Sequence, residues 1–329
     1  LAVYTDITEA ELDPLLSRFG LGAALTFKGI AEGVENSNFF LETEAGRFIL
    51  TLYERRVRED DLPFFLALMH WLAARGFPCP TPQADRDGQM LQRIRDKPAA
   101  LVSFLNGVSV SRPSPRHCRE AGEGLARLHL AGAGFEGRRE NTLGAPSWAH
   151  LFEGQEASAD TLQPGLAQVI ATDLESLAAS WPTGLPSGVI HADFFPDNVF
   201  FFRGRFAAAI DFYFACNDAL AYDVAVCLVS WCFDPDGRFK PDHARGLLAG
   251  YEAVRPLQPA ERGHMAVLAM GAAMRFFLTR LIDWTSTPAG ALVKPKDPME
   301  YASKLAFFRD PEARTALAAL FSETGPHDA

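Results

Sequence analysis

Apolar positions along the first hundred residues follow two periods. Thr8 followed by Glu11 has the spacing of a capping box, and the pattern around it predicts a helix over residues 2–18. Extended structure is expected from residues 25–30. Residues 38–43 and 47–53, rich in Phe, Ile, Leu and Thr, flank Glu44-Ala45-Gly46 and predict a β-hairpin. Asp60-Asp61 opens an apolar helix over 62–74, stopped by Gly76 and followed by Pro78, Pro80 and Pro82. Residues 89–94 and 99–104 read as two further strands. Beyond Leu105-Asn106-Gly107 the pattern turns mainly helical, with helices over 116–130, 166–180 and several from residue 222 onward. One island of short β-like segments, residues 188–214, interrupts it. The expected fold class is α+β: an N-terminal lobe (1–104) built on a small antiparallel sheet and a larger, mainly helical C-terminal lobe (105–329), joined near residues 101–107.

Composition narrows the possibilities. The 329 residues are 48% hydrophobic and 11% aromatic, too apolar and aromatic for a disordered chain. A net charge of −10, spread over both halves, argues against a nucleic-acid surface, which needs clustered Lys and Arg. Five cysteines without a C-x-x-C pair suggest reduced, buried thiols. No secretory signal is visible, and the apolar stretch 265–274 stops at Arg275, well short of the roughly 20 residues that span a bilayer. A cytoplasmic protein with no membrane or nucleic-acid partner is expected. Its oligomeric state is not legible.

The chemistry concentrates in the β island. His191, Asp193 and Asn198 stand in the order H-x-D-x-x-x-x-N, and thirteen residues after Asn198 a strand-like run ends in Asp211. Phosphoryl transfer to a hydroxyl needs these groups: one carboxylate to orient the hydroxyl and accept its proton, and a carboxamide oxygen and a second carboxylate to hold Mg²⁺. A kinase catalytic loop spaces its Asp and Asn in this way. On that reading Asp193 is the catalytic carboxylate, His191 braces the loop, and Asn198 and Asp211 are the metal ligands. Taken singly, each residue is more readily a turn or a structural polar group. Four polar residues at the junction of two apolar strands are harder to explain by packing alone.

His191-Ala-Asp-Phe-Phe-Pro-Asp-Asn198 followed by Ile210-Asp-Phe-Tyr213 resembles the aminoglycoside-phosphotransferase-like branch of the protein-kinase-like fold. Within that branch the chain is most similar to the homoserine kinase family of bacterial threonine biosynthesis. Supporting stretches are Glu32-Gly-Val-Glu-Asn-Ser-Asn-Phe39, Phe48-Ile-Leu-Thr-Leu-Tyr-Glu54, Pro98 to Gly107, Ala215-Cys-Asn-Asp218 and Tyr222-Asp-Val-Ala225. The resemblance spans about residues 20–310. It implies a bilobal kinase that uses ATP and Mg²⁺ to phosphorylate the side-chain hydroxyl of L-homoserine. It also implies that Gly33, Asn36, Ser37 and Asn38 form the phosphate-covering turn, and that Val102 and Phe104 lie on the connector beside adenine.

One departure stands out. The strand position that carries a lysine in kinases falls on Thr51, and the helix over residues 62–72 has no glutamate to pair with one. Lys28, Arg55 or Arg56 are the nearest substitutes. For a substrate carboxylate, Arg275 and Arg280 in the apolar helix 264–284 are the candidates. Five residues apart, they lie about 140° apart around a helix, so one at most points straight into a cleft. Asp218 is the candidate for a substrate ammonium, and Asp223 for bracing the catalytic loop. A same-fold kinase acting on choline, an aminoglycoside or a sugar remains open, as does a non-catalytic nucleotide-binding module.

Overall fold

The capping box at Thr8 starts the first helix later than residue 2. Its backbone N–H donates to Glu11, and helix α1 runs Glu9–Phe19, ending at Gly20 in the left-handed conformation. The computed structural model describes residues 5, 7–30, 36–54, 57–287 and 294–323. The described chain divides into two units. The first comprises Leu1–Gly107, Gly134–Arg139 and Ala208–Tyr213, and the second comprises Val108–Ala133, Glu140–Ala207 and Phe214–Ala329. Two short returns to the first unit are thus added to the segment that ends near the connector, and one of them carries Asp211.

In the first unit, strands β1 (Ala24–Ile30), β2 (Ser37–Thr43), β3 (Gly46–Leu52), β4 (Leu91–Ile94) and β5 (Lys97–Ser103) form an antiparallel sheet in the order β1-β2-β3-β5-β4. The expected hairpin is β2–β3, with Asn38 opposite Thr51. Side chains alternate between faces along a strand. Phe39, Leu41, Leu50, Leu52 and Leu101 turn to one face and pack with Leu12, Leu15 and Leu16 of α1. Asn38, Thr51, Ala100 and Val102 belong to the opposite face. Helix α2 (Leu62–Ala74) buries Phe65, Leu66, Met69 and Leu72.

The second unit holds helices α3 (Pro115–Ala131), α4 (Trp148–Phe152), α5 (Glu156–Leu162) and α6 (Leu166–Ser180), then strands β6 (Ser187–Ile190), β7 (Val199–Phe202), β8 (Arg205–Ala209, which leads back to the first unit) and β9 (Cys216–Ala219). Helices α7 (Leu220–Trp231), α8 (Pro241–Glu252), α9 (Pro259–Ser286), α10 (Met299–Arg309) and α11 (Pro311–Glu323) complete it. The β island resolves into two antiparallel pairs, β6 with β9 and β7 with β8, so it extends past Phe214 to Ala219. Helices α3 and α8 touch backbone to backbone. A Cβ at Gly122 would lie 2.1 Å from the Leu247 carbonyl oxygen, and one at Gly250 2.0 Å from that of Arg119. Helix α9 has 28 residues and is long and apolar enough to cross a membrane by length and composition, more than the 265–274 stretch suggested. Most of its apolar window is buried within the protein. All five cysteines are buried and outside any disulfide, as the sequence suggested.

Candidate active site

Strand β6 delivers His191, Ala192 and Asp193 into a loop whose shape is imposed by buried charge. Ala192 has φ 60°, the left-handed region that costs a residue with a Cβ about 1–2 kcal/mol. Its peptide groups are held from both ends. Asp223, fully buried in the first turn of α7, accepts the backbone N–H of His191 at 2.7 Å and of Ala192 at 2.8 Å. The Arg275 guanidinium of α9 donates to the Ala192 carbonyl oxygen. Asp223 also pairs with His129 Nε2 at 3.1 Å, and His129 Nδ1 meets the Tyr251 hydroxyl at 2.8 Å. Burial pushes the Asp223 carboxyl upward more than any other single influence. Its hydrogen bond and attraction to His129, with the His191 contacts, outweigh this and hold it below the usual carboxylate range.

Within the loop, His191 is wholly buried, stacks edge-on against Phe194, and its Nδ1 accepts the Asp193 backbone N–H at 3.3 Å. The Phe194 carbonyl is held by Trp231 Nε1 at 2.7 Å. The turn that follows folds Asn198 back onto Asp193: its Nδ2 donates to both the Oδ2 and the backbone carbonyl of Asp193, each at 2.9 Å. Asp193 and Asn198 are therefore brought together. With its amide nitrogen turned to Asp193, Asn198 has its carbonyl oxygen left to offer a cation, a hard ligand suited to Mg²⁺. Among the described residues no cluster of three His, Cys, Asp or Glu exists. A carboxamide and a carboxylate that rely on substrate phosphates for the remaining ligands fit that observation.

A cavity of about 340 Å³ opens in the second unit beside this loop, lined by Phe195, Pro196 and Asp197 of the loop and by Arg280, Tyr301 and Lys304 of α9 and α10. Arg280 and Lys304 share the carboxylate of Glu300, at 2.5 and 2.6 Å. Both cations lie against the Tyr301 ring, 4.4 and 4.1 Å from its centroid. Burial pulls the Lys304 ammonium pKa down, against the attraction of Glu300. Burial also pushes Glu300 up, but Lys304 and Arg280 together hold it below its usual range.

The two candidate arginines of α9 thus part company. Arg280 lines the cavity, whereas Arg275 is 2% exposed and occupied with the Ala192 carbonyl. Its guanidinium meets the loop backbone, where the sequence led us to expect a substrate carboxylate. Asp218 does not line the cavity either. Its Oδ2 accepts from Asn141 at 2.7 Å and its Oδ1 from the Ala219 backbone N–H, so protein donors occupy the carboxylate expected to meet an ammonium.

In the first unit, Asp211 has φ 63° and lies near the buried Tyr53 and the half-buried Tyr213. Tyr213 and Tyr53 join hydroxyls at 3.2 Å, and Tyr213 also bonds Thr51, whose Oγ1 donates to Asn38 Oδ1 at 2.8 Å. Burial, with the Asp211 charge adding to it, pushes Tyr53 up to about 12; burial and the neighbouring Tyr53 push Tyr213 well above its usual value. A hydroxyl and amide network therefore surrounds Thr51, the position expected to correspond to the kinase lysine. Lys97 does pair with Glu54, but this pair also bonds Thr5.

The expected phosphate turn is divided. Ser37 is fully buried, its hydroxyl donating to Glu54 and accepting from the Thr5 backbone, on the face that carries Phe39 rather than Asn38. Asn36 Oδ1 accepts the Glu54 N–H at 3.2 Å. Both have protein partners instead of facing an open turn. Gly33, Arg55 and Arg56 lie outside the described residues. On the connector, Val102 pairs with Ile49, and the Phe104 N–H donates to the Arg47 carbonyl.

Sequence reasoning passed over His129, Lys304, Glu300 and the tyrosine pair. Lys304 carried one available signal, a cation on the run Tyr301–Phe308 with aromatic neighbours, yet nothing local tied it to residue 280.

Residues 26–257 match the phosphotransferase enzyme family. The chain is 66% identical to the homoserine kinase of Phenylobacterium zucineum, over 94% of this chain and 96% of that one. It is 64% identical to the homoserine kinase of a Caulobacter species, strain K31, over 94% and 97%. Among solved structures, an amicoumacin kinase in complex with AMP-PNP and Ca²⁺ superposes with a TM-score of 0.66 at 15% identity, covering 95% of this chain and 94% of that one. That neighbour has a protein-kinase-like fold, the fold class expected from the sequence.

Proposed function

The chain belongs to the phosphotransferase enzyme family and, within it, to the homoserine kinases, and from that premise we propose the residues by which it works. It phosphorylates the side-chain hydroxyl of L-homoserine with ATP, giving O-phospho-L-homoserine and ADP. The homoserine oxygen forms a bond to the γ-phosphorus as the bridging bond to the β-phosphate breaks. Asp193 orients the hydroxyl and accepts its proton late in the transfer. Asn198 acts twice, holding the Asp193 carboxylate through its amide nitrogen and offering Mg²⁺ its carbonyl oxygen. Asp211 would be the second metal ligand. Held there, Mg²⁺ would supply positive charge against the phosphates of ATP. His191, Asp223 and Arg275 are positioning residues that set the loop without touching the reacting atoms.

The observation that carries this reading is the Asn198 amide closed on the Asp193 carboxylate at 2.9 Å, in a loop held by buried ions at both ends of Ala192. Positioning of this kind supplies most of the rate in phosphoryl transfer. The test is ADP release with L-homoserine, choline and an aminoglycoside as acceptors, repeated on Asp193→Asn. Turnover with L-homoserine that the substitution lowers by roughly 10²–10⁴-fold, with ATP binding retained, is the expected result. Undiminished turnover in the variant would remove Asp193 from the mechanism.

A further inference from the structure

The cavity beside the loop carries charges that no step of phosphoryl transfer uses. Lys304 is buried, its side chain 3% exposed, and Arg280 is nearly so at 12%. Two largely desolvated cations share the single carboxylate of Glu300, one on each of its oxygens. Removing charge from water is expensive unless it is balanced, and here one positive charge exceeds the balance. The Tyr301 face attracts both cations but carries no net charge. Asp197, exposed, lines the same cavity and stands next to Asn198 in the loop itself. The volume lies near the lower end of the roughly 300–1,000 Å³ typical of ligand pockets, small for a polycyclic antibiotic and ample for an amino acid.

The geometry points to a pocket that reads both charged ends of a zwitterionic substrate: Lys304 and Arg280, held apart by Glu300, receive the α-carboxylate, and Asp197 receives the α-ammonium. This rests on the homoserine kinase reading above and specifies how that site selects its acceptor. The substrate carboxylate supplies the negative charge that the Lys304–Glu300–Arg280 cluster lacks. Lys304 has three N–H donors and gives one to Glu300, so it can bond both groups at once. With the two ends held, the substrate's own short chain carries its terminal hydroxyl away from the pocket. Selection then comes from two charge matches: a charge-assisted hydrogen bond is worth about 1.5–3 kcal/mol, a factor of roughly 10–100 for each end lost.

The test uses two analogues that each lack one end. 3-Aminopropan-1-ol keeps the hydroxyl and ammonium without the carboxylate; 4-hydroxybutanoate keeps the hydroxyl and carboxylate without the ammonium. For the full chain, kcat/KM is measured for L-homoserine and both analogues, or Ki where an analogue is not turned over. Lys304→Met should weaken L-homoserine and 4-hydroxybutanoate by about 10–100-fold and leave 3-aminopropan-1-ol within about threefold. Asp197→Asn should show the reverse selectivity. Arg280→Gln, at the more exposed cation, repeats the carboxylate arm should Lys304→Met fail to fold, and thermal melting establishes which variants are folded. Equal losses on all three compounds, or no loss in folded variants, would overturn the pocket. Wild-type enzyme that binds ATP but does not phosphorylate L-homoserine would instead overturn the functional reading on which it rests.

Discussion

Replacing Asp223 by Asn removes one negative charge and one acceptor oxygen from the centre of the second unit, and the structure sets the cost. The carboxylate accepts the backbone N–H groups of His191 and Ala192 and faces His129, all without solvent. Hydrogen bonds to a charged group contribute about 1.5–3 kcal/mol each. Asparagine can accept one of the two N–H groups but turns its own NH₂ toward the other, leaving a buried donor against a donor. Breaking a buried charged cluster by removing one partner costs about 3–5 kcal/mol. Against a total stability of typically about 5–15 kcal/mol, such a loss is readily measured. The left-handed conformation of Ala192, worth about 1–2 kcal/mol of strain, then loses one of its two restraints, and the loop carrying Asp193 relaxes. Urea denaturation followed by circular dichroism should show the lost stability, and ADP release should show kcat falling further than KM changes. Asp236→Asn, an exposed substitution, is the control and should stay within about 0.5 kcal/mol. A loss under about 1 kcal/mol with unchanged kcat would refute the argument that Asp223 holds the loop. The pH dependence follows the same carboxylate. Its folded pKa lies below the unfolded value of about 3.9, so its contribution is complete above that value and is lost as pH falls through the folded pKa. Acid unfolding of Asp223→Asn should therefore have a shallower limb than that of the wild type.

Arg275→Met should lower kcat with little effect on the melting shift produced by ATP, because its guanidinium holds the Ala192 carbonyl and does not line the substrate cavity; a KM effect confined to L-homoserine would place it at the substrate instead. Gly122→Ala, which drives a methyl to 2.1 Å from the Leu247 carbonyl oxygen, should destabilise by about 1–3 kcal/mol or more in urea titration, since backbone cannot yield as a side chain does. Thr51→Val removes the hydroxyl that joins Asn38 and Tyr213, and should raise the KM for ATP more than that for L-homoserine, read by ADP release under varied nucleotide.

Much of the fold is legible because it depends on local rules. The capping box at Thr8, the Glu44-Ala45-Gly46 turn and the apolar alternation of residues 38–43 each specify an element from within a few residues. The boundaries that went astray are those that tertiary contacts decide. The β island runs on to Ala219 because β9 pairs with β6, thirty residues away, and residues 208–213 join the first unit, a contact no local pattern encodes. The buried face of Ser37 shows the same limit: a polar residue beside Asn36 and Asn38 reads as part of one turn, yet the strand's alternation sends it to the opposite side.

At the site, the sequence by itself determined that Asp193 and Asn198 meet, because their spacing is local and one loop can hold both. Charge partners were beyond it. Whether an arginine on α9 meets substrate or backbone depends on which side of the helix faces the loop. Only the folded second unit set Arg275 on Ala192 and Arg280 beside Glu300 and Lys304. Coulomb and hydrogen-bond energies depend on separations of a few ångströms in a desolvated interior, whereas sequence spacing reports only distance along the chain.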